Sequence, residues 1–351
     1  MRIAIIAITR NGARLGTRLR SGFAAAELHI LRKYAGQAGK GAVPFDGELR
    51  NLVSDLWREM DGFVFIMATG IVVRVVSPLL EGKEQDPAVV VMDDAGKFAI
   101  SLLSGHLGGA NELAGKCAFL TGAREVITTA TDTNELPSFD MLAREEGWVI
   151  DDLARVKSLN SLLLNNEEIA VVDPTGRVRP FFHGTGRLNF YDTFMDAFKS
   201  NAKGFLFITN RRLPPQSQSD SLLLLRPKNL VLGIGCNSGT AAEEIEEVVL
   251  ANLKRMFLSI KSVRYIASVT AKRDERGLTE FADKWGIEIK YYDSEELNQV
   301  AAPSSASYHA MKAVGAFGVA EPAALLASDG GTLLLKKVKS GNVTLAVAES
   351  R

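Results

Sequence analysis

The hydrophobic pattern of this chain is one of short apolar runs set between longer stretches with helical spacing. Residues 3–8, 63–66, 88–92, 126–128 and 169–172 are runs rich in Val, Ile and Phe, with no polar residue at every second place. Runs of this length without alternation predict strands buried on both faces. Between them, residues 17–31, 47–59 and 111–121 have the spacing of helices. Strands alternating with helices predict parallel sheets covered by helices. The turn Asp93-Asp94-Ala95-Gly96 has hairpin chemistry, so residues 98–102 are expected to pair with 88–92. Residues 136–146 and 153–164 predict two more helices, whereas 177–192 shows no clear period.

The rhythm breaks at Pro214, Pro215, Gln216, Ser217, Gln218 and Ser219, a composition suited to a loop or linker. A new unit then begins at Asn229. It reads as strand 230–234, helix 241–256, strand 263–269, helix 277–285, strand 287–291 and a closing pair, 332–335 and 343–348, joined through Ser340-Gly341-Asn342. The predicted class is therefore α/β, with an N-terminal mostly parallel sheet flanked by helices and a separate C-terminal α/β domain. The divisions expected are residues 1–135, a middle region 136–215, a linker 216–228 and the C-terminal domain 229–351.

Bulk composition narrows the function. A chain of 351 residues exceeds one ordinary core. Lys plus Arg equals Asp plus Glu at 41 each, which argues against a non-specific nucleic-acid binder. Aromatic content of 7% supplies no stacking platform for bases. The start, MRIAIIAIT, is too short an apolar run for a signal sequence and is followed by Arg10, Arg14, Arg18 and Arg20, so it reads as a buried strand. The longest apolar region, 63–76, contains Gly70 and Arg74 and falls short of the roughly 20 residues that span a bilayer. Cys117 and Cys236 are far apart and form no disulfide or metal framework, which fits a reducing cytoplasm.

Candidate chemistry concentrates in two glycine-rich turns. The first lies in ISLLSGHLGGANELA, residues 100–114, where Ser104, Gly105, His106, Gly108, Gly109 and Asn111 separate a strand from a helix. Glycines allow close backbone approach, and a helix start offers N–H groups to an anion. A histidine placed there adds a titratable group. The plain alternative is a structural turn. Adjacent Ser and His rarely make a nucleophile–base pair, so polar anchoring suits Ser104 better than covalent chemistry.

The second turn, Gly233-Ile234-Gly235-Cys236-Asn237-Ser238-Gly239-Thr240, is neither a dinucleotide fingerprint nor a Walker loop. Thr240 with Glu243 has capping-box spacing. Three glycines exceed what a turn needs, which favours a cradle for a carboxylate or phosphate. Thr69 and Gly70, like Thr131 and Asp132, follow predicted strands. In a parallel sheet both loops would open on the same edge as residues 104–111, making Asp132 a candidate acid or base, with helix capping as the plain reading. Gly318 and Glu321 precede a helix at 322–327. No His, Cys, Asp or Glu cluster has metal-site spacing.

Four motifs in order, DPAVVVMDDAGKFAISLLSGHLGGANELA at 86–114, VITTATD at 126–132, LVLGIGCNSGTAAEEIEE at 230–247 and VGAFGVAEPAALLA at 314–327, resemble the cobalt-precorrin-5A hydrolases of anaerobic cobalamin biosynthesis. The likeness covers nearly the whole chain and is weakest between about 136 and 220. It implies an N-terminal, a middle and a C-terminal region. It implies an enzyme that opens the δ-lactone on the ring A acetate of a cobalt-containing tetrapyrrole and releases C20 with its methyl group as acetaldehyde. The cobalt belongs to the substrate, so no cofactor is expected, and other enzymes of the pathway are possible partners. Carried onto this chain, that chemistry makes His106, Asp132 and Ser104 the catalytic candidates, with His106 or Asp132 activating water. Thr69, Gly70, Gly105, Gly108, Gly109, Asn111, Thr131, Gly233, Gly235, Asn237, Ser238, Gly239, Thr240, Gly318 and Glu321 become candidates for substrate binding. Arg74, Lys272 and Arg273 could meet the acidic rim, and a cleft between lobes would suit so large a ligand. The competing reading is a corrinoid carrier that binds without conversion. A tetrapyrrole methyltransferase is disfavoured by the lack of a recognisable cofactor loop.

Overall fold

The computed structural model describes residues 1–82, 85–106, 108–129, 136–214, 219–306 and 308–350, and the chain divides into two units, Met1–Met141 and Leu142–Arg351. Among the described residues the first unit holds a seven-stranded sheet. Its strands are β1 (Ile3–Ala7), β2 (Ala26–Leu31), β3 (Val43–Phe45), β4 (Gly62–Ile66), β5 (Ala88–Met92), β6 (Phe98–Leu103) and β7 (Arg124–Val126), in the order β3-β2-β1-β4-β5-β6-β7. Strands β1 to β5 are parallel. The hairpin after Met92 sets β6 antiparallel to β5, and β7 then runs with β6.

Both faces are covered, which is why the strands carry no polar alternation. Ile3, Ile5 and Ala7 of β1 point into one core with Ala13 and Leu19 of helix Arg10–Ser21 and Leu113 and Cys117 of helix Ala110–Thr121. Ala4 and Ile6 point into the other, with Val53 of helix Leu49–Leu56 and Val72 and Val75 of helix Thr69–Val76. The helix expected over 17–31 ends instead at Ser21, capped by Gly22, and Ala26–Leu31 is β2. Helix propensity in AAAEL loses to the burial of Leu28 and Ile30 between sheet and helix. A β-carbon on Gly22 would lie 2.5 Å from the end of the Leu120 side chain, which would have to swing aside.

The second unit contains two five-stranded sheets among the described residues. The first, in the order β10-β9-β11-β12-β8, comprises β8 (Val149–Ile150), β9 (Glu168–Val172), β10 (Arg187–Phe190), β11 (Gly204–Ile208) and β12 (Leu222–Arg226). The second, in the order β15-β14-β13-β17-β16, comprises β13 (Leu230–Cys236), β14 (Val263–Val269), β15 (Glu288–Tyr292), β16 (Thr332–Ser340) and β17 (Val343–Glu349). The linker expected over 216–228 is corrected by β12, which pairs in parallel with β11 throughout Leu222–Leu225. Leu222 and Leu223 belong to a core strand that the neighbouring Pro- and Ser-rich stretch disguises. The middle region is thus a sheet of its own, packed around Phe194, Phe198, Phe205 and Phe207.

The two sheets of this unit are joined by buried polar groups. Arg226 is 3% exposed and donates to the carbonyls of Thr209 and Arg211 and to the Asp151 carboxylate at 2.9 Å. Lys261, just before β14, reaches the same carboxylate at 2.9 Å. Burial alone would push Asp151 up, but hydrogen bonds from Arg226 and Lys261 outweigh it and hold the carboxyl below its usual range. Asn210 adds bonds to Asn229 and to Glu349 of β17.

Candidate active site

The first glycine-rich turn is built by the hairpin. Because β6 runs against β5, with Val89 opposite Leu103, the chain after Leu103 emerges beside the start of β5. Ser104 sits there with a left-handed φ of 58°, and its hydroxyl donates to the carbonyl of Asp86 at 3.0 Å. The turn closes on itself through Gly109 N–H to His106 O, Ala110 N–H to Ser104 O and Asn111 N–H to Gly105 O, at 2.9–3.0 Å. Two of the helix-start N–H groups expected to greet an anion are therefore used inside the loop.

The glycines answer to this closure. A β-carbon on Gly108 would lie 2.3 Å from that of Ser104, and one on Gly105 would lie 2.7 Å from Asn111 Oδ1. Gly109 takes a φ of 85° at the helix cap. Asn111 Oδ1 accepts from Ser101 at 2.6 Å. Beside the turn, a cavity of about 510 Å³ is lined by Trp57, Asp61, Glu81, Asp86 and Gly108 among others.

His106 is the titratable side chain carried by the turn. Its Nδ1 lies 3.0 Å from Asp140 Oδ2, and both side chains are largely buried. Ser138 Oγ stands 3.5 Å from the same nitrogen. Asp140 lies in the first turn of helix Phe139–Glu145, next to the fully buried Phe139. Neither Ser138 nor Asp140 stood out in the sequence, where an acid at a helix start reads as a cap. Their one distinguishing feature, near-complete burial, belongs to the folded state.

The expectation that Thr69 and Gly70 open on the same edge as residues 104–111 is overturned. They follow β4, whose end at Ile66 pairs with Met92, the opposite end of β5 from Leu103. The antiparallel hairpin is the reason. Strand β7 runs with β6, so Thr129 does reach the turn, with its hydroxyl 3.2 Å from where a β-carbon on Gly105 would be. Thr131 and Asp132 lie outside the described residues.

In the second unit, Gly233 and Gly235 lie within β13, not in a loop. A β-carbon on Gly233 would stand 1.8 Å from the carbonyl oxygen of Ala320, so the residue is there to let helix Ala320–Ala327 press onto the strand. Thr240 is not the helix cap. That place is Ala241, and the Thr240 hydroxyl donates to Asn237 O. Asn237 bonds Asn342 in the β16–β17 turn.

One N–H of this loop meets an anion of the chain itself. Gly239 N–H donates to Glu275 at 3.0 Å, and Lys272 donates to the same carboxylate at 2.7 Å. The Lys272 ammonium, with Gly239 and the Ser238 hydroxyl, holds the Glu275 carboxyl below its usual range despite some burial. Burial pushes the Cys236 thiol up. Arg273 lies over the ring of Tyr291. Glu321 accepts from the N–H and hydroxyl of Ser304 and from the N–H of Lys337, beside a cavity of about 160 Å³ that Gly318 also lines. Arg74 donates to the carbonyl of Gly70.

Among the described residues no group of three or more His, Cys, Asp or Glu is placed to hold a metal ion, and no helix is long and apolar enough to cross a membrane.

Family models match this chain in three successive stretches: cobalamin synthesis G N-terminal at 51–132, the cobalamin biosynthesis central region at 137–227 and cobalamin synthesis G C-terminus at 230–348. A cobalt-precorrin-5A hydrolase of Priestia megaterium is 37% identical, covering 98% of this chain and 94% of that protein. The chain belongs to the cobalamin synthesis G family. A cobalt-precorrin-5A hydrolase of Salmonella typhimurium is 31% identical over 88% of this chain and 87% of its own length. A solved chain described as a homologue of cobalamin biosynthesis protein G, from Sulfolobus solfataricus, is 24% identical and covers 100% of this chain and 97% of its own, with a TM-score of 0.36. Within the family's own divisions, His106 falls in the N-terminal match and Asp140 in the central one.

Proposed function

We propose that this member of the cobalamin synthesis G family is a cobalt-precorrin-5A hydrolase. The observation that carries the reading is the 37% identity to a hydrolase of that name across 98% of this chain. The His106–Asp140 pair at the glycine-rich turn supplies chemistry of the right kind.

In this reading the reaction has two steps. Water attacks the lactone carbonyl while His106 takes a proton from it; the acyl–oxygen bond breaks, leaving the ring A acetate as a carboxylate and an alcohol on C20. Loss of the alcohol proton then lets the C20–ring carbon bond break. C20 leaves with its methyl group as acetaldehyde, and the bonding pair passes to the electron-poor macrocycle, which is later protonated. The substrate thus acts as its own electron sink, a task that cofactors perform elsewhere. Cobalt enters as part of the substrate, no further cofactor is required, and the reaction is placed in the cytoplasm. Ser104, whose hydroxyl is donated to the Asp86 carbonyl, serves as an anchor of the turn and not as a nucleophile.

The test is anaerobic incubation with cobalt-precorrin-5A, with acetaldehyde trapped and measured. Acetaldehyde formed in step with loss of the lactone is the expected result. His106→Gln, which keeps a hydrogen-bonding group beside Asp140, should lower turnover by about 10²-fold or more while the thermal melt stays close to that of the parent. Tight binding of the corrinoid with no acetaldehyde would replace the hydrolase by a carrier.

A further inference from the structure

We infer that Asp140 is a positioning residue, holding the His106 ring in the tautomer that a base requires; the inference rests on the reading of His106 given above. The two residues are 34 positions apart in the chain, and their side chains approach to 3.0 Å with 13% and 8% exposure. A carboxylate buried to this degree is costly unless strongly partnered. A carboxylate can only accept, so the hydrogen of the neutral ring sits on Nδ1 and its lone pair on Nε2.

The same contact stabilises the imidazolium formed when Nε2 takes a proton. It also fixes the ring plane, because Nδ1 is tied to a side chain on a different element from the turn that carries His106. Ser138, 1% exposed and 3.5 Å from the same nitrogen, closes the pocket around the bond. The pair straddles the boundary between the family's N-terminal and central regions. The central region therefore contributes to the chemistry through its first residues, quite apart from its own sheet.

The experiment uses the full chain and its Asp140→Asn and Asp140→Glu variants. Three quantities are read: kcat and KM for acetaldehyde release, the thermal melt, and the ring-nitrogen NMR spectrum of the four histidines, with His106 assigned from His106→Gln. In the parent, His106 should show the Nδ1–H tautomer at pH 8. An Asn at 140 can donate to Nδ1 and move the hydrogen to Nε2. Asp140→Asn should then show the other tautomer and lose about 10²-fold or more in kcat, with KM changed by less than about threefold. Asp140→Glu should restore the tautomer and part of kcat.

A parent His106 already in the Nε2–H form, or Asp140→Asn with parental kcat, overturns the inference. Should Asp140→Asn fail to fold, the parent spectrum and Asp140→Glu decide. If the parent makes no acetaldehyde, the hydrolase reading fails, while the tautomer measurement still judges Asp140 by itself.

Discussion

Replacing Gly108 by alanine tests how the turn holds His106. The added methyl carbon would stand 2.3 Å from the β-carbon of Ser104 and 2.7 Å from its carbonyl oxygen. Carbon atoms rest at about 3.5–4.0 Å, so one side of the turn must move by roughly 1 Å. Ser104 has little freedom to yield. It is already left-handed at φ 58°, and its hydroxyl and carbonyl are both engaged. Forced overpacking of this kind costs about 1–3 kcal/mol, which lowers Tm by roughly 3–10 °C for a unit of this size.

The larger effect should fall on turnover, since a displacement of about 1 Å at a catalytic group can cost about 10²-fold. Gly122→Ala is the control. It has a φ of 75° but no atom within 4 Å of its β-carbon, so it carries only the left-handed penalty of about 1–2 kcal/mol. Calorimetry and acetaldehyde release would be measured on both. Comparable losses in Tm, with turnover lost only in Gly108→Ala, are expected. Turnover in Gly108→Ala equal to that of Gly122→Ala would refute the claim that turn closure positions His106.

Two further expectations concern the scaffold. Gly233→Ala sets a carbon 1.8 Å from Ala320 O and 2.9 Å from the Ala324 β-carbon, so β13 and helix Ala320–Ala327 must separate; a loss of about 3 kcal/mol or more in urea unfolding is expected, and an unchanged midpoint would show that the helix is free to shift. His29 is buried in β2 with its pKa lowered by burial, against the opposing pull of Glu27. Below about 6.5 the unfolded chain takes up a proton that the folded one refuses, so stability should fall as pH drops through that value. His29→Gln should flatten this part of the stability–pH curve between pH 7.5 and 5.5, and identical slopes would remove His29 as the cause.

Much of the scaffold was legible because its signals are local. Helix Leu153–Leu164 and strands Ala88–Met92 and Val263–Val269 fall where periodicity put them. The hairpin after Met92 was legible too, from Asp and Gly in the turn. Its consequence leaves no mark in the pattern. One reversed strand carries residues 104–111 to the edge opposite Thr69 and Gly70, so loops that look alike in sequence serve different ends of the sheet. The 17–31 segment failed for a related reason: alanines favour a helix, but sheet burial decided for a strand.

The site divides in the same way. The sequence by itself singled out the turn around His106 as a candidate site, because glycines beside a histidine at a strand–helix junction form a purely local pattern. It also pointed to Gly233 and Gly235, where spacing alone could not tell a ligand cradle from a helix pressed against a strand; at Gly233, where a β-carbon would stand only 1.8 Å from Ala320 O, the packed helix is the reason for the glycine. Only the tertiary structure brought Asp140 to Nδ1 of His106 and set Glu275 on the N–H of Gly239. Both are contacts between residues more than thirty positions apart. They arise from strand register and side-chain burial, which depend on the whole packed sheet and leave no mark on the neighbouring sequence.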